Sequence, residues 1–372
     1  MVTLHDVARE AGVSLATASR VLNGSTRVVG EALREKVLAA AAQLDYSPNA
    51  QAQAMARGRS NIVGLVVHDI ADPYFSTIAA GVMQRAAPSD VIVTLAVTGA
   101  SAATEVAHVT ALRRQRVRAV LLAGSRWQDD ASTLALREEL NAFRADGGRV
   151  AAVTQDVLGV DTVLIDNHDD ARRLAEELVG LGYREFVLLA GPRQVSTAVD
   201  RSAGFRAALA AHGLPPLLDL ECAFTRDGAY GALSEVLAGG LPRTDGRPPC
   251  VLAANDVMAV GAMAAVRDAG LDVPGDVAVA GFDDIPTLRD VSPALTTVQL
   301  PLAEIGGRAF DLVEEPAAHR RVEQVRGRVL LRESTPPLGS EPGPRPRPGA
   351  TGASRTATAT AGASPGTRPA AP

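Results

Sequence analysis

The sequence predicts a small all-α domain, an α/β body of two doubly wound lobes with parallel sheets, and a disordered C-terminal tail. Three observations support this fold class. Apolar residues recur at helical spacing up to residue 46, short apolar runs alternate with helical segments from residue 62, and Pro, Ala, Gly, Thr and Ser dominate from residue 336. With 372 residues, the chain is too long for one compact core, so two or three domains are expected.

Residues 3–23 predict two short amphipathic helices joined by a tight turn. Thr3 can cap the first helix, with Asp6 in the capping-box position. Gly12 ends that helix because glycine adopts a left-handed turn conformation at little cost. Ser14 can cap the second helix by accepting a backbone N–H. Two helices around a short turn with a glycine are typical of a helix-turn-helix, whose second helix enters the DNA major groove.

In the second helix the inward and outward residues separate clearly. The residues predicted to face inward are Ala18, Val21 and Leu22. The residues left on or near the outer side are Leu15, Ala16, Thr17, Ser19 and Arg20. An αα-hairpin that only packs is the alternative at this point.

Two further helical segments follow. A third helix is predicted over 31–44, with an apolar stripe formed by Leu33, Val37, Leu38, Ala41 and Leu44. Pro48 fits the first turn of a short helix and Gly58 fits its end. Some eight residues cannot hold a helix alone in water, so we expect this segment to be ordered only when something packs on it or binds it.

From residue 62 the pattern alternates between strands and helices. The predicted strands are short apolar runs, typical of buried parallel strands, at 62–67, 91–97, 119–123 and 150–154, then in a second series at 163–165, 186–190, 251–254 and 277–280. The predicted helices lie near 75–87, 103–115, 132–144, 171–181, 202–211, 229–237 and 257–269. Repeated βα units imply parallel sheets with right-handed crossovers. Ligands of such folds bind at the carboxyl ends of the strands, here between the lobes.

Composition excludes several classes of protein. The net charge of −5 argues against a chain that binds polyanions throughout, but residues 1–60 carry seven Arg and Lys against five Asp and Glu, a balance that suits one small DNA-contacting module. Cys222 and Cys250 give neither metal-ligand spacing nor a disulfide framework. No signal peptide or membrane span is evident, so we expect a cytoplasmic protein.

Five separated motifs resemble those of the lactose-repressor (LacI/GalR) family of bacterial transcription regulators. They are TLHDVAREAGVS (3–14) with SRVLN (19–23), REKV (34–37) with LDYSPN (44–49), ANDVMAVG (254–261), GFDDIP (281–286) and LREST (331–335). The resemblance covers about residues 2–335 and keeps the order of the family's motifs.

The resemblance implies a domain organisation. Residues 1–47 would form a helix-turn-helix DNA-binding headpiece and 48–60 a hinge helix and linker. The core would be related to periplasmic sugar-binding proteins, with three crossings between an N-lobe of 61–157 plus 287–315 and a C-lobe of 158–286 plus 316–335. The tail would be 336–372. A homodimer on a pseudo-palindromic operator is implied, since dimer symmetry matches operator symmetry.

The resemblance also assigns DNA contacts. Leu15, Ala16 and Arg20 match the base-reading positions, and Arg20 can contact guanine O6 and N7 through two hydrogen bonds. Thr17, Ser19 and Asn23 suit phosphate contacts. Met55 matches the position of a leucine that wedges into the minor groove, and Gln53 stands where the family often has a basic residue. Met55 as linker or dimer packing is the alternative.

Polar residues follow four predicted strands and point to an effector site. They are Asp69, Asp166, Asn255 and Asp283. The resemblance adds Arg201, the aromatic residues Tyr74 and Phe75, which it implies along the cleft, and Phe224, which matches a position that stacks on a sugar ring. Structural alternatives exist: Asp166 and Asn167 as helix caps, Asp256 and Asp284 as caps or inter-lobe contacts, and Tyr74 as core. Asp170 replaces a glycine of the family's pattern.

The function that the resemblance implies is allosteric repression of a carbohydrate-utilisation operon by a sugar-like effector, although some members bind purines, nucleosides or phosphoprotein partners. No cofactor or metal is expected. Two other classes stay open. A periplasmic sugar receptor fits the body but not the headpiece. An enzyme using Asp283 with Asp166 lacks a nucleophile elbow, a metal triad or a phosphate loop.

Overall fold

The computed structural model describes residues 2–23, 29–47, 60–242, 246–315 and 317–339. The predicted hinge helix, with Met55 and Gln53, therefore lies outside the described residues, as does the tail from residue 340. Among the described helices, none is long and apolar enough to cross a membrane.

The N-terminal domain consists of three helices: α1 (Leu4–Glu10), α2 (Leu15–Asn23) and α3 (Glu31–Gln43). The predicted caps are confirmed. The Asp6 amide donates to Thr3 Oγ1 and the Asp6 carboxylate accepts from the Thr3 amide at 3.0 Å. Gly12 has φ +63°, and the Thr17 amide donates to Ser14 Oγ at 3.1 Å.

The domain's small core differs from the predicted stripe at two positions. Its buried residues are Val7, Ala8, Ala18, Val37, Ala40 and Ala41. Leu33 and Leu38 were expected on the buried stripe of α3 but are 44% and 45% exposed. Val37, Ala40 and Ala41 form the buried face instead, because positions 37, 40 and 41 share one side of a helix at 3.6 residues per turn.

The first lobe contains a six-stranded parallel sheet in the order β11-β5-β4-β3-β1-β2. Its strands are β1 (Ile62–Val67), β2 (Ile92–Val97), β3 (Ala119–Ala123), β4 (Arg149–Val153), β5 (Asp161–Ile165) and β11 (Val322–Val325). Its helices are α4 (Pro73–Ala86), α5 (Ala102–Arg114), α6 (Asp130–Ala145) and, later in the chain, α11 (Leu302–Glu314). Two hydrophobic clusters form on opposite faces, so the sheet is buried on both sides, as the apolar runs predict.

The second lobe contains a four-stranded parallel sheet in the order β7-β6-β8-β9. Its strands are β6 (Phe186–Leu189), β7 (Leu218–Leu220), β8 (Cys250–Ala253) and β9 (Ala278–Ala280). Its helices are α7 (Asn167–Gly180), α8 (Ser196–Ala211), α9 (Arg226–Gly239) and α10 (Asp256–Asp268), followed by a 3₁₀ turn at Pro286–Asp290. In each sheet the first strand in the chain, β1 or β6, lies inside the sheet, and later strands are added on both sides of it, which confirms the doubly wound prediction.

The chain passes from one lobe to the other at different points from those predicted. The run 163–165, expected to open the second series, belongs to β5, which pairs with β4 and β11 in the first sheet. Strand β10 (Thr297–Gln299) pairs with β12 (Arg328–Leu330), and single bridges join Thr296 to Ala280 of β9 and Gln299 to Asp283 just after β9. The predicted boundaries at 158, 287 and 316 are therefore wrong for these strands. The described chain leaves one sheet for the other after Ile165, after Gln299 and after Val325.

The predicted start of the tail, residue 336, is three residues too early. The Tyr183 hydroxyl donates to the Pro336 carbonyl at 2.9 Å, and the Leu338 amide donates to the Leu181 carbonyl at 2.7 Å. The chain therefore stays packed on the second lobe through Leu338, and disorder beyond residue 340 remains a prediction.

Candidate functional site

The outer side of α2 presents the residues predicted to read bases. Leu15 is 38% exposed, and Ala16 and Arg20 are exposed as well. Ala18 on the opposite side is fully buried between the helices. The turn at Gly12 and the Ser14 cap thus place a small apolar surface and one guanidinium on the same exposed face.

The predicted phosphate contacts are less uniform. Thr17 is half-buried, and its hydroxyl lies 2.8 Å from Ser14 Oγ, so it is already engaged in the cap. Ser19 is half-buried. Asn23 ends α2, and its side chain lies outside the described residues, as does Met55.

A cavity of about 720 Å³ lies between the two lobes, at the carboxyl ends of their strands. Of the eight predicted effector residues, seven line it: Asp69, Tyr74, Phe75, Arg201, Phe224, Asn255 and Asp283. Asp69 follows β1, Asn255 follows β8 and Asp283 follows β9. The prediction that polar residues at the carboxyl ends of parallel strands lie close together, which we call the strand-end rule, therefore holds for side chains more than 200 residues apart in sequence.

Arg201 on α8 is the most constrained of these side chains. It is buried, and all three of its guanidinium nitrogens donate to the protein: Nε to Asn167 Oδ1 at 2.8 Å, Nη1 to the Ala254 carbonyl at 2.8 Å and Nη2 to Asp283 Oδ1 at 2.7 Å. The guanidinium carbon also lies 3.8 Å from the centre of the Phe282 ring. Arg201 therefore fixes the floor of the cavity, and any ligand contact uses only its remaining N–H bonds.

Asn255 and Asp283 keep unused hydrogen-bonding capacity at this floor. Asn255 caps α10, since its Oδ1 accepts from the Met258 amide at 2.9 Å, and its Nδ2 remains as a donor. Asp283 Oδ1 accepts from Arg201 Nη2, and Oδ2 remains for a ligand. Burial raises the pKa of the Asp283 carboxyl to about 8, against the lowering effect of Arg201. Asp283 also has φ +122°, a conformation that L residues rarely adopt.

The structure does not place Asp166 on this cavity. Its carboxylate accepts from Gln324 Nε2 at 3.2 Å and lies 3.3 Å from Arg326 Nε, beside the crossing after β11. It makes no capping bond to α7 either. Its strand, β5, lies at the other side of the first sheet from β1, next to β11, and this position explains the different destination.

The neighbouring carboxylates have structural partners. Asp256 is fully buried and accepts from the Ile285 amide at 3.0 Å and from Thr297 Oγ1 at 2.7 Å. Burial raises its pKa to about 6. Asp170 stands where the family's pattern has a glycine, and it accepts from the Gly327 amide at 2.6 Å. This carboxylate therefore links α7 to the segment between β11 and β12.

The first-lobe wall holds residues that the sequence prediction missed: His68, Asp72, Arg126 and Trp127. Burial and the charge of Arg126 lower the pKa of His68 to about 4, so its imidazole is neutral at pH 7. Arg126 is buried, and its two terminal nitrogens each donate to Glu105 at 2.8 Å. Arg126 and Trp127 follow β3 just as the predicted polar residues follow their strands. The same strand-end rule would have found them had it not been applied only to acids and amides.

The two lobes are hydrogen-bonded to each other across the mouth of the cavity. Trp127 and Val195 form an antiparallel bridge, the Gln128 amide donates to the Gln194 carbonyl at 2.8 Å, and the Ser196 amide donates to the Arg126 carbonyl at 2.9 Å. We call this set of contacts the latch. It joins the first lobe to the second beside the cavity.

The chemistry of the cavity suits recognition. Tyr74, Phe75, Trp127 and Phe224 offer flat apolar faces, while Asn255 and the Asp283 carboxyl offer directed hydrogen bonds. Each of the three arginines in the described lining is hydrogen-bonded to an acidic residue: Arg126 to Glu105, Arg201 to Asp283 and Arg226 to Asp227. Within the described residues, no group of three or more His, Cys, Asp and Glu side chains is placed to hold a metal ion.

Known protein families match both the N-terminal helical domain and the two-lobed body of the chain. Residues 3–49 match the family described as bacterial regulatory proteins, lacI family, and residues 175–335 match the periplasmic binding protein-like domain. The HTH-type transcriptional regulator GalS of Salmonella typhimurium is 33% identical over 322 residues, which cover 86% of this chain and 91% of GalS.

Two solved structures have a similar fold. The Lac repressor dimer bound to operator and the anti-inducer ONPF matches with a TM-score of 0.76 and 29% identity, over 90% of this chain and 99% of that one. The transcriptional regulator CelR in complex with cellobiose matches with a TM-score of 0.63 and 29% identity, over 90% of this chain and all of that one. The chain therefore belongs to the lacI family of bacterial regulatory proteins, as a DNA-binding transcriptional repressor with a ligand-binding domain.

Proposed function

We propose that this repressor controls a carbohydrate-utilisation operon and that a sugar or sugar derivative, bound in the cavity between the lobes, is its effector. The observation that carries the proposal is the lining of that cavity, where aromatic faces stand beside Asn255 and Asp283. A polyol with one apolar face is recognised by directed hydrogen bonds and a flat apolar surface, and Asn255 Nδ2 and Asp283 Oδ2 remain for such bonds. The similar CelR structure holds cellobiose, which supports the same ligand class.

The proposed DNA contacts divide by role. Arg20 reads a guanine through two hydrogen bonds, a contact that contributes about 1–3 kcal/mol of discrimination. Leu15 and Ala16 offer only apolar contact, such as with a thymine methyl group. Thr17, Ser19 and Asn23 contact phosphates, and Met55 inserts into the minor groove at the operator centre. The exposed face of α2 supports the first three assignments.

The proposed control is allosteric and operates in a homodimer, the assembly in which the similar Lac repressor is bound to its operator. Effector binding changes the lobe arrangement, and this decides whether the paired hinge segments at 48–60 can form helices on DNA. Because so short a helix is marginal alone, a coupling free energy of about 1–3 kcal/mol is enough to shift operator occupancy.

Two other functional classes, a periplasmic receptor and an enzyme, have less support. A periplasmic receptor would not need a helix-turn-helix headpiece, and an enzyme would need a nucleophile or a poised acid–base pair in the cavity. The one strongly perturbed carboxyl on the floor, Asp283, is bound to Arg201. Its suggested partner Asp166 does not line the cavity.

The decisive experiment is operator selection from a random DNA library with the purified full-length chain, repeated with a panel of neutral sugars. We expect one enriched pseudo-palindromic sequence and one sugar that changes its affinity at least fivefold. An Asn255→Ala variant should bind the same operator and lose the sugar response. An enriched operator without any responding sugar would refute the effector class, and turnover of a sugar would revive the enzyme.

A further inference from the structure

A second pocket, of about 660 Å³, lies outside the cavity between the lobes, where the chain segments that connect the lobes pass one another. We call it the arginine pocket. It is bounded by the turn after β9, by the end of β10 and by the segment from Arg326 to Arg332. Its volume lies within the range of ordinary small-molecule sites. None of the DNA or sugar contacts proposed above involves it.

The charge of this pocket is unusual for the protein that carries it. Its lining contains four arginines, Arg289, Arg326, Arg328 and Arg332, and Asp284 is the one acidic residue among the described lining residues. The whole chain has a net charge of −5. A concentration of guanidinium groups in an acidic protein raises the local concentration of anions.

Protein partners satisfy only part of this positive charge. Arg332 donates to the Asp284 carboxylate at 2.7 Å, and Arg328 donates to the neutral amide oxygen of Gln299 at 3.2 Å. Arg326 is largely exposed and has Asp166 at 3.3 Å, outside the pocket. Arg289 is exposed and has no ion pair with another described residue. Several N–H groups are thus available to an oxyanion, and planar guanidinium forks match phosphate oxygens.

The floor of the pocket is apolar. Ile285, Leu288 and Leu300 are largely buried, and parts of these residues line the arginine pocket together with Val291 and Pro301. Inorganic phosphate alone would leave this surface unused. A ligand with an anionic end and an apolar body would use both parts of the site.

We propose that the arginine pocket binds a small organic phosphate, a phosphate monoester whose apolar group lies on Leu288 and Leu300 while its oxygens face Arg289, Arg326 and Arg328. This site is separate from the sugar cavity, so the regulator has a second small-molecule input. The proposal depends neither on the nature of the sugar nor on the operator.

The test is isothermal titration of the full-length chain with phenyl phosphate, compared with phenol and with inorganic phosphate. Phenyl phosphate carries an apolar ring and one phosphate but is not a sugar, so its binding is independent of the function proposed for the other cavity. We expect phenyl phosphate to bind at least tenfold more tightly than either fragment, and more weakly as salt rises.

Three single variants locate the binding. Arg289→Gln and Arg326→Gln alter exposed side chains, so folding should be retained, and each should weaken phenyl phosphate about tenfold or more. Arg308→Gln is the matched control, because Arg308 pairs with Glu304 on α11, away from the pocket, and should leave affinity unchanged. Equal affinity in all three variants, equal affinity for phenol, or no binding at millimolar phenyl phosphate would each overturn the proposal.

Discussion

The ion pair between Glu105 and Arg126 gives the sharpest prediction about the cavity wall. Both side chains are buried, with 6% of Glu105 and 5% of Arg126 exposed, and two N–H···O bonds of 2.8 Å join them. Arg126 also donates to Thr154 Oγ1 at 3.0 Å. Glu105→Gln removes the negative charge, keeps the shape and leaves a buried guanidinium without its counter-charge.

The expected cost follows from that geometry. Breaking one partner of a buried pair costs about 3–5 kcal/mol, because the remaining charge keeps its desolvation penalty. A retained amide hydrogen bond returns about 1 kcal/mol. We therefore expect Glu105→Gln to lower the free energy of unfolding by about 2–4 kcal/mol.

Urea unfolding followed by tryptophan fluorescence measures this directly, since Trp127 is the single tryptophan of the chain and adjoins Arg126. Glu304→Gln on α11 is the control, because its pair with Arg308 is exposed and contributes less than about 1 kcal/mol. A loss below about 1 kcal/mol in Glu105→Gln, with an unchanged m-value, would show that the pair is not desolvated as the structure indicates.

Three further predictions concern the other sites. Arg20→Ala should abolish the preference for the selected operator over random DNA while salt-dependent nonspecific binding persists; gel-shift titrations on both DNAs measure this, and unchanged selectivity would contradict the assignment. Asn255→Ala should weaken the effector at least tenfold without changing operator affinity in its absence, as titration with the sugar found in the panel will measure. Stability should fall as pH rises from about 4 to 8, because burial raises the pKa of Asp256 to about 6 and of Asp283 to about 8, so these two carboxyls hold protons in the folded chain that the unfolded chain has released; the lowered pKa of His68, about 4, acts in the opposite sense below about pH 6.5 and offsets only part of this fall. Urea midpoints at pH 5, 6.5 and 8 test the sign, and Asp256→Asn should reduce the slope below pH 7.

The sequence predicted the elements of the body well where local pattern decides them. The strands β1 and β3 were predicted with their observed bounds, because each is an uninterrupted apolar run between turns. The run at 163–165 was recognised as a strand but assigned to the wrong sheet, since an apolar run looks the same whichever neighbour it pairs with. Strand β11 was not predicted because its sequence, Val-Glu-Gln-Val, alternates and is half exposed.

The candidate site shows the same division between local and tertiary information. The strand-end rule found Asp69, Asn255 and Asp283, because the end of a parallel strand determines which edge of the sheet a residue joins. It failed for Asp166 because the neighbouring strand β11 supplies the partners of that carboxylate. The engagement of all three Arg201 guanidinium nitrogens by protein acceptors could not be foreseen, since all three acceptors come from other segments brought together only by folding.

The latch has a consequence for the timing of the response. An effector that binds in the cavity and leaves past the Trp127–Val195 bridge can do so only after the backbone bonds between the lobes break. Release is then limited by the rate of lobe opening, and ligands that differ in affinity should dissociate with similar half-lives whenever opening is the slow step. A cell carrying this regulator would keep responding to an effector for some time after the free effector has been consumed.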